Sequence, residues 1–386
     1  MSNEPKLIKQ HVNEISCVLK LMTHCPQLTA KMKNMNIERI EHGTLEDGGA
    51  IYVYKITNAN GASVTLCNIG AGIVSIVVPD KDGNMTDIVL GYKDLKSYIG
   101  DGPCAGKVPG RFSNRIKEGK FSIDGKEFQL VLNTGDGKHH LHGGNDGFAN
   151  QLWCGEINDN GNVEFTYFSE DGECGYPGEL LAKAEYHWSD DNELTLTLKA
   201  ESSEPTVVNL TNHVYFNLKG EGEGNILDHN LKLFASNYLP ATEELITTGE
   251  IATVKETPMD FTEGKLIGKD IKADFPAVVN GKGFDSCWAI DNYNKGVMNQ
   301  AATLSSEASG IKVDVFTTQP GVQIYTGNWL SGCPEGKCGK SYEDYEGVAM
   351  ECQAFPDAPN KANFPNAVLR PGEEYKEVIK FKFSTL

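Results

Sequence analysis

From residue 48 onward, short runs of alternating apolar and polar residues are separated by Gly, Asp and Asn turns. Alternation with a period of two is typical of strands that bury one face. The runs that predict strands are 51–56, 64–68, 73–78, 121–123, 127–131, 163–168, 182–188, 194–198, 311–317, 323–325 and 378–383. A turn is predicted at 80–84, and a tight hairpin at Asp124-Gly125, because Asp-Gly supplies the positive φ angles of a two-residue turn.

After residue 48 no helix of twelve or more periodic residues is predicted, and no repeat of fixed period is visible. We therefore predict an all-β fold, a large antiparallel β-sandwich made of two broad sheets packed face to face, with loops that carry the function. A chain of 386 residues can hold one such large domain, which we place at residues 37–386.

The first 36 residues have a different pattern. Apolar residues recur there at helical spacing, and Pro26 follows the last of them: Ile8, Val12, Ile15, Val18, Leu19 and Met22. This pattern predicts an amphipathic helix in an N-terminal extension, 1–36, that serves as a docking appendage. Lys20 interrupts the apolar run that a secretory signal requires, and no segment reaches the ~20 apolar residues of a membrane span.

The charge balance argues against anionic partners. The 53 Asp and Glu residues outnumber the 35 Lys and Arg residues, which gives a formal charge of -18 that repels nucleic acid and anionic membrane surfaces. Arginine, the side chain best suited to bidentate phosphate binding, occurs four times, at 39, 111, 115 and 370. A neutral small-molecule substrate is therefore favoured over a phosphorylated one.

Ten cysteines are scattered through the chain without a Cys-x-x-Cys pair or a histidine at zinc spacing. The pattern is typical of reduced, buried thiols in a reducing compartment, so we expect a cytoplasmic protein. It predicts no metal site, although a structural cation such as calcium stays open.

Four polar clusters combine proton-active or hydrogen-bonding side chains with Gly, Asn and aromatic residues: 110–116 (GRFSNRI), 141–144 (LHGG), 209–218 (NLTNHVYFNL) and 351–357 (ECQAFPD). Each cluster alone has a purely structural interpretation. In their order and separation they resemble the aldose 1-epimerase (galactose mutarotase) family, as do 173–179, 317–323 and 369–373. The resemblance runs from about residue 48 to the C-terminus, departs at His139-His140, and leaves the first 36 residues without a counterpart.

The resemblance implies a galactose mutarotase-like supersandwich that acts on a free aldose sugar without a cofactor. It implies that His213 is the general acid toward the ring oxygen and Glu351 the general base toward the anomeric hydroxyl. The residues implied to hold the sugar's hydroxyls are Asn114, Arg115, His142, Asp260 and Gln319. Structural roles stay open for some of them: Asp260 could cap a turn, and Arg115 and Gln319 could bind backbone groups.

The chemistry of sugar ring opening also calls for an acid and a base. Opening a pyranose removes the proton of the C1 hydroxyl and gives one to O5, so an acid and a base must flank one hemiacetal. An exposed glutamate, with a pKa of about 4.3, is ionised at neutral pH, while a histidine near ~6.5 is partly protonated. Each proton transfer contributes about 10²- to 10⁴-fold, so this pair suffices without metal, nicotinamide or nucleotide.

Three other functions are compatible with parts of the pattern: a noncatalytic sugar-binding module, a sugar-phosphate epimerase and a hydrolase with paired carboxylates. The joint presence of His213 and Glu351 argues against the first, the scarcity of arginine against the second, and a histidine acid against the third. The preferred aldose, and the choice between monomer and homodimer, stay open.

Overall fold

The computed structural model describes residues 29–32 and 35–386. Its strands, in chain order, are β1 (Thr29–Met32), β2 (Met35–Thr44), β3 (Ala50–Thr57), β4 (Ser63–Cys67), β5 (Gly72–Pro79), β6 (Met85–Asp87), β7 (Arg115–Ile116), β8 (Lys120–Ile123), β9 (Lys126–Gln129), β10 (His140–Leu141), β11 (Cys154–Ile157), β12 (Val163–Ser169), β13 (Leu180–Trp188), β14 (Glu193–Ser202), β15 (Thr206–Val207), β16 (Tyr215–Phe216), β17 (Asn230–Leu233), β18 (Asn237–Tyr238), β19 (Ala252–Thr253), β20 (Lys265–Leu266), β21 (Asp285–Ala289), β22 (Asn299–Ser305), β23 (Ile311–Thr317), β24 (Gly321–Tyr325), β25 (Val348–Gln353), β26 (Val368–Leu369) and β27 (Tyr375–Thr385).

Helix is limited to single turns within these residues. The α-helix α1 covers Pro276–Gly281, and the 3-10 turns are Leu95–Tyr98, Lys117–Gly119, Phe148–Asn150, Glu173–Gly175, Ile267–Lys269 and Ala358–Asn360. None of the helices in the described part of the chain has the length and apolar character needed to cross a bilayer.

Three large antiparallel sheets make up the body of the described chain. The first is the meander β1-β2-β3-β4-β5-β6, the second has the order β11-β12-β13-β14-β27-β23-β22-β17-β20, and the third has the order β16-β25-β24-β21-β18-β19. Two-stranded pairings β7/β10, β8/β9 and β15/β26 complete it. The predicted all-β antiparallel sandwich is confirmed.

The core lies between these sheets, because each strand sends alternate side chains inward. In β14, Leu194, Leu196 and Leu198 are buried while the residues between them are half-buried. The same cluster includes Ile76 of the first sheet and Ile324 of the third. Strand β25 differs because all six of its positions are buried, so both of its faces are covered.

Each run that predicted a strand is found as one, and 311–317 has the same bounds as β23. The predicted hairpin is also present, with φ values of 52° at Asp124 and 81° at Gly125 between β8 and β9. Strands without alternation, notably β25, were not predicted.

Part of the N-terminal prediction can be compared with the structure. The helical pattern between Ile8 and Met22 lies outside the described residues. Within 1–36 the described part is extended: β1 pairs antiparallel with β2, with Thr29 opposite Glu38. The boundary placed between 36 and 37 falls inside β2. Backbone pairing with the sheet therefore extends further toward the N-terminus than the pattern of apolar residues indicated.

Candidate active site

A cavity of about 660 Å³ lies where loops of the first and third sheets meet. It draws its lining from distant parts of the chain, which are brought together by the strand order. The residues that line it are Ser97, Ile99, Gly100, Asp101, Gly102, Pro103, Asn114, Arg115, Leu141, His142, His213, Tyr215, Asp285, Tyr325, Trp329, Ser331, Gly332, Cys333, Pro334 and Glu351. Concave sites of this size with a few convergent polar groups are typical of small-molecule sites.

His213 and Glu351 meet at the base of this cavity. The Nε2 atom of His213 lies 3.4 Å from Oε1 of Glu351, and the two side chains are 5% and 2% exposed. Glu351 belongs to the fully buried strand β25, where it pairs in register with Gln323 of β24. The structure thus brings together the two residues that the sequence singled out as proton carriers.

The residues before His213 hold it in place. The side-chain amide of Asn212 donates to the carbonyl of Gly106 at 2.7 Å, and its oxygen accepts the N–H of Val214 at 3.1 Å. The hydroxyl of Thr211 donates to the carbonyl of Cys352 at 2.6 Å, which ties this segment to β25. Thr and Asn are therefore needed next to His213 because their side chains satisfy buried backbone groups.

Burial decides the charge of the pair. It lowers the pKa of His213 to about 4, and the positive charge of Lys107 also lowers it. Burial raises the pKa of Glu351 well above its ordinary value, Asp285 adds to this effect, and Arg115 opposes it. The expectation of an ionised glutamate and a partly protonated histidine assumed exposed groups, whereas burial favours the neutral form of each. Burial thus favours a neutral pair, with the exchangeable proton on Glu351 rather than on His213.

Each member of the pair keeps a polar atom for a ligand. Among the described residues neither Nδ1 of His213 nor Oε2 of Glu351 has a hydrogen-bond partner, although both atoms are buried. A buried polar atom without a partner costs about 1–3 kcal/mol, so such atoms mark places where a ligand completes the bonding.

His142 stands beside the pair as a hydrogen-bond donor. Its Nδ1 accepts the backbone N–H of Asn114 at 3.1 Å, which leaves the proton of the neutral ring on Nε2. Burial, and then His213, keep the pKa of His142 well below its usual value. The two imidazole rings lie 5.3 Å apart. The N–H of His142 is thus available to a ligand hydroxyl.

A glycine next to His142 permits this geometry. Gly143 has a φ of +87°, and a Cβ there would lie 1.6 Å from the carbonyl oxygen of Gly110. Both facts exclude a side chain at this position. The Gly in the cluster 141–144 is therefore required by a close backbone approach.

His142, His213 and Glu351 also form a conceivable metal triad, because one ligand atom from each lies within 4.8 Å of the others. A metal would compete with the existing hydrogen bond of His142. Coordination by Nδ1 removes the acceptor of the Asn114 N–H, and coordination by Nε2 places a proton on Nδ1, opposite that N–H. The donor set fits a neutral ligand with hydroxyl groups better than a metal ion.

Arg115 and Asn114 line the same cavity, as predicted. The side-chain oxygen of Asn114 accepts the backbone N–H of Arg115 at 2.7 Å, so Asn114 fixes both Arg115 and His142. The guanidinium of Arg115 lowers the pKa of Glu351 and of Asp285, which places its charge close to both carboxyl groups.

The structure does not bring Asp260 and Gln319 to this cavity. Asp260 accepts the N–H and the hydroxyl of Thr262 at 3.0 and 2.7 Å, and so stabilises a turn. The amide of Gln319 donates to the carbonyl of Leu210 at 3.2 Å and to the hydroxyl of Tyr375 at 2.9 Å. Both residues therefore have the structural roles that the sequence had left open.

Asp285 lines the cavity, and Gln323 supports it from the neighbouring strand. Asp285 begins β21 and lines the cavity, and the amide of Gln323 donates to its Oδ1 at 2.6 Å. Burial is the main reason that the pKa of Asp285 is raised. Gln323 lies within the 323–325 run that predicted a strand, whereas Asp285 begins a strand whose buried positions do not alternate and therefore show no pattern.

Aromatic side chains form another part of the wall. The rings of Tyr325 and Trp329 are nearly parallel, with centroids 6.2 Å apart. The hydroxyl of Tyr325 accepts a hydrogen bond from the backbone N–H of Trp329 at 3.0 Å. Trp329 is exposed at the cavity, while Tyr215 is buried against His213. Such faces suit ligands that have both C–H and hydroxyl groups.

Comparisons with known proteins show which proteins this chain resembles. A model of the family described as aldose 1-epimerase matches residues 52–382. Galactose mutarotase of Bos taurus is 42% identical over 323 residues, which cover 83% of this chain and 91% of that protein.

Two solved structures share the fold. The aldose epimerase homologue from C. elegans has a TM-score of 0.77 at 29% identity and covers 85% of this chain and 97% of its own. Galactose 1-epimerase from Lactobacillus acidophilus NCFM has a TM-score of 0.78 at 27% identity, with 90% and 98% covered.

Proposed function

This chain belongs to the aldose 1-epimerase family, and on that premise we propose that it interconverts the α and β anomers of free aldoses such as glucose and galactose. The observation that carries the proposal is the 3.4 Å separation of His213 Nε2 and Glu351 Oε1 inside a cavity large enough for a sugar. Burial favours a state in which the two side chains share one titratable proton, and each has an unpartnered buried atom.

The reaction needs this combination. One group removes the proton of the C1 hydroxyl, the C1–O5 bond breaks, O5 gains a proton from the other group, and C1 becomes an aldehyde carbon. Rotation about C1–C2 then exposes the opposite face of the carbonyl, and the reverse transfers close the other anomer. The pair gives one proton and takes one, so its proton count is unchanged after a turnover.

We assign the acid toward O5 to His213 and the base toward the C1 hydroxyl to Glu351. Burial favours the proton on Glu351, so a transfer to His213 across 3.4 Å precedes ring opening. Arg115 lowers the pKa of Glu351 and stabilises the carboxylate that this transfer leaves.

Binding of the sugar's other hydroxyl groups falls to the polar side chains around the pair. His142 donates from Nε2, Arg115 donates from its guanidinium, and Asn114 supports both through its backbone and side chain. Asp285 accepts from a hydroxyl with the atom that Gln323 leaves free. These roles replace those expected for Asp260 and Gln319.

Three further expectations belong to the proposal. Residues 37–386 form a single domain, which is supported by a core cluster with members from Ile37 to Phe383. The protein acts in the cytoplasm as a monomer or homodimer. Free thiols at Cys67, Cys104, Cys174, Cys287, Cys333, Cys338 and Cys352 are typical of a reducing compartment. The chemistry itself requires no cofactor.

Polarimetry on freshly dissolved α-glucose and α-galactose tests the proposal. The intact protein is expected to accelerate the decay of optical rotation, and His213→Asn and Glu351→Gln to return it to near the uncatalysed rate. His187→Asn is the matched control, since this exposed histidine lies on β13, away from the cavity lining. Unchanged acceleration by both site variants would contradict the assignment, and tight sugar binding without acceleration by the intact protein would select a binding module instead.

A further inference from the structure

A lysine is buried next to the cavity. The side chain of Lys107 is 1% exposed, and that of Asp101, which its Nζ contacts, is 0% exposed. Nζ also donates to the carbonyl of Tyr98 at 2.5 Å and to Oδ1 of Asn150 at 3.0 Å. Burying an ammonium group is costly unless it is paired and hydrogen-bonded, and here it is both.

The ion pair of Lys107 and Asp101 holds one wall of the cavity. Oδ2 of Asp101 accepts the N–H of Ala105 at 2.8 Å and the hydroxyl of Tyr92 at 2.9 Å. Oδ1 of Asn150, which Lys107 also binds, accepts the N–H of Gly100 at 3.0 Å. These bonds hold the segment that contributes one wall of the cavity. Its residues in the cavity lining are Ser97, Ile99, Gly100, Asp101, Gly102 and Pro103.

The backbone of Lys107 holds the histidine itself. The N–H of His213 donates to the carbonyl of Lys107 at 2.9 Å, and the N–H of Gly106 donates to the carbonyl of His213 at 2.9 Å. The hydroxyl of Tyr215, whose ring packs against that of His213, donates to the carbonyl of Pro103 at 2.8 Å. The segment tied by the buried ammonium thus contacts His213 from two sides.

The surrounding backbone leaves room for the lysine stem. Gly70 has a φ of +59°, and a Cβ there would lie 3.0 Å from both Cβ and Cδ of Lys107 and 2.6 Å from the carbonyl of Ala149. The stem therefore lies in a slot that a side chain at position 70 would close.

From this geometry we infer that Lys107 is a positioning residue for the proposed mutarotation: its ammonium, paired with Asp101, locks the wall segment 97–105 against His213. The inference rests on the proposed function. Lys107 does not line the cavity, so it acts on the sugar through His213 and the wall.

The charge of Lys107 gives the positioning role a distinct signature. Burial is the main cause that lowers the pKa of His213, and the positive charge of Lys107 lowers it further. The other titratable groups that face His213 are Glu351, His142, Tyr215 and Tyr325. Because they stay in place when Lys107 is neutralised, the pKa of His213 is expected to rise.

Lys107→Met tests the inference, because it keeps the length of the stem and removes the charge. Polarimetry is expected to show a kcat lower by about 10- to 100-fold, as for a misplaced catalytic group, with a smaller change in KM. The acid limb of the kcat/KM profile is expected to move to higher pH. The control is Lys265→Met, which removes a half-buried pair with Asp270 that lies away from the cavity and should lower Tm without changing kcat or the acid limb.

A second variant keeps the test decisive if Lys107→Met does not fold. The double variant Lys107→Met with Asp101→Asn removes both buried charges, and the same loss of kcat is expected from it. A lower Tm with kcat and acid limb as in the wild type, in whichever variant folds, would overturn the positioning role alone. A wild-type protein that does not accelerate mutarotation would overturn the proposed function, and the positioning role with it.

Discussion

Burial shifts the protonation of His213 and Glu351 away from that of the same groups in water. In water a glutamate is ionised and a histidine partly charged. In this cavity the pKa of His213 falls to about 4 and that of Glu351 rises well above its usual range, because desolvation disfavours the charged form of each. The pair is therefore active when it holds a single proton, whichever of the two atoms carries it.

This condition predicts a bell-shaped dependence of kcat/KM on pH. Below about pH 4 His213 is protonated while Glu351 keeps its proton, so the pair has no base. Above the raised pKa of Glu351 the pair has lost its proton and has no acid. Polarimetric rates, corrected for spontaneous mutarotation, check this prediction, with circular dichroism as the control for folding. An acid limb near the ordinary histidine value would contradict the burial argument.

The two aspartates predict a contrast between similar substitutions. Asp285→Asn removes a charge that faces the cavity and should lower kcat/KM by about 10- to 100-fold, the equivalent of about 1–3 kcal/mol for a lost polar partner. Asp260→Asn changes a turn and should leave the kinetics within about 2-fold, with a modest loss of stability. Steady-state kinetics with both variants compare them directly, and the opposite order would restore Asp260 to the site.

The sequence predicts site residues that lie in distinctive clusters better than isolated site residues. His213 and Glu351 were predicted because several chemically unusual neighbours accompany each, and His142 and Arg115 for the same reason. Nothing local distinguishes Asp260 from Asp285, since each stands near aromatic and apolar residues. The difference lies in strand order, which pairs the strand of Asp285 with β24, so that the side chain of Gln323 reaches Asp285, and leaves Asp260 in a turn.

Strand β25 shows how an element can position a reactive group. All six of its positions are buried, and β24 pairs with it from Ala349 to Gln353. On the other edge β16 pairs with Val348 and Ala349, and the Thr211 hydroxyl bonds to the carbonyl of Cys352, next to Glu351. Strands with one solvent-facing side were predicted well because their apolar and polar residues alternate visibly in the sequence. β25 lacks alternation because both of its faces are covered, and a uniformly buried strand has no periodic signature.

The turn after β10 gives a prediction on stability. Gly143→Ala places a methyl group 1.6 Å from a carbonyl oxygen, so it should destabilise the protein by roughly 3 kcal/mol or more and displace His142. Gly172→Ala is the matched control, because Gly172 has a similar φ of +85° but nothing within 4 Å of the added carbon. It should lose only about 1–2 kcal/mol. Urea unfolding of both variants measures the difference, and equal losses would show that the close approach is unimportant.

The overall charge of the molecule disfavours anionic ligands. The formal charge is -18, and among the described residues that line the cavity Arg115 faces Asp285, while the charge of Asp101 is paired with Lys107. A strongly negative protein repels anionic substrates over a distance set by the Debye length, which shortens as the salt concentration rises. The composition already indicated this, whereas the charges inside the cavity became visible with the fold.

Substrate charge therefore gives a prediction for the whole molecule. Galactose 6-phosphate should show a kcat/KM at least about 10-fold below that of galactose, and the gap should narrow as salt rises, because screening weakens the long-range repulsion. Polarimetry of both sugars at low and high ionic strength checks this, with xylose as an uncharged control for changes at C6. A phosphate ester that reacts faster than the free sugar would instead favour a sugar-phosphate epimerase.

The central claim is that His213 and Glu351 act as one unit on a single hemiacetal. The most direct test is a double-mutant cycle in the mutarotation of α-galactose, with His213→Asn, Glu351→Gln and the double variant measured by polarimetry. Because either substitution disables the same pair, the double variant is expected to be little slower than the slower single variant. Losses that multiply across the two substitutions would show that the residues act independently, and would contradict the account.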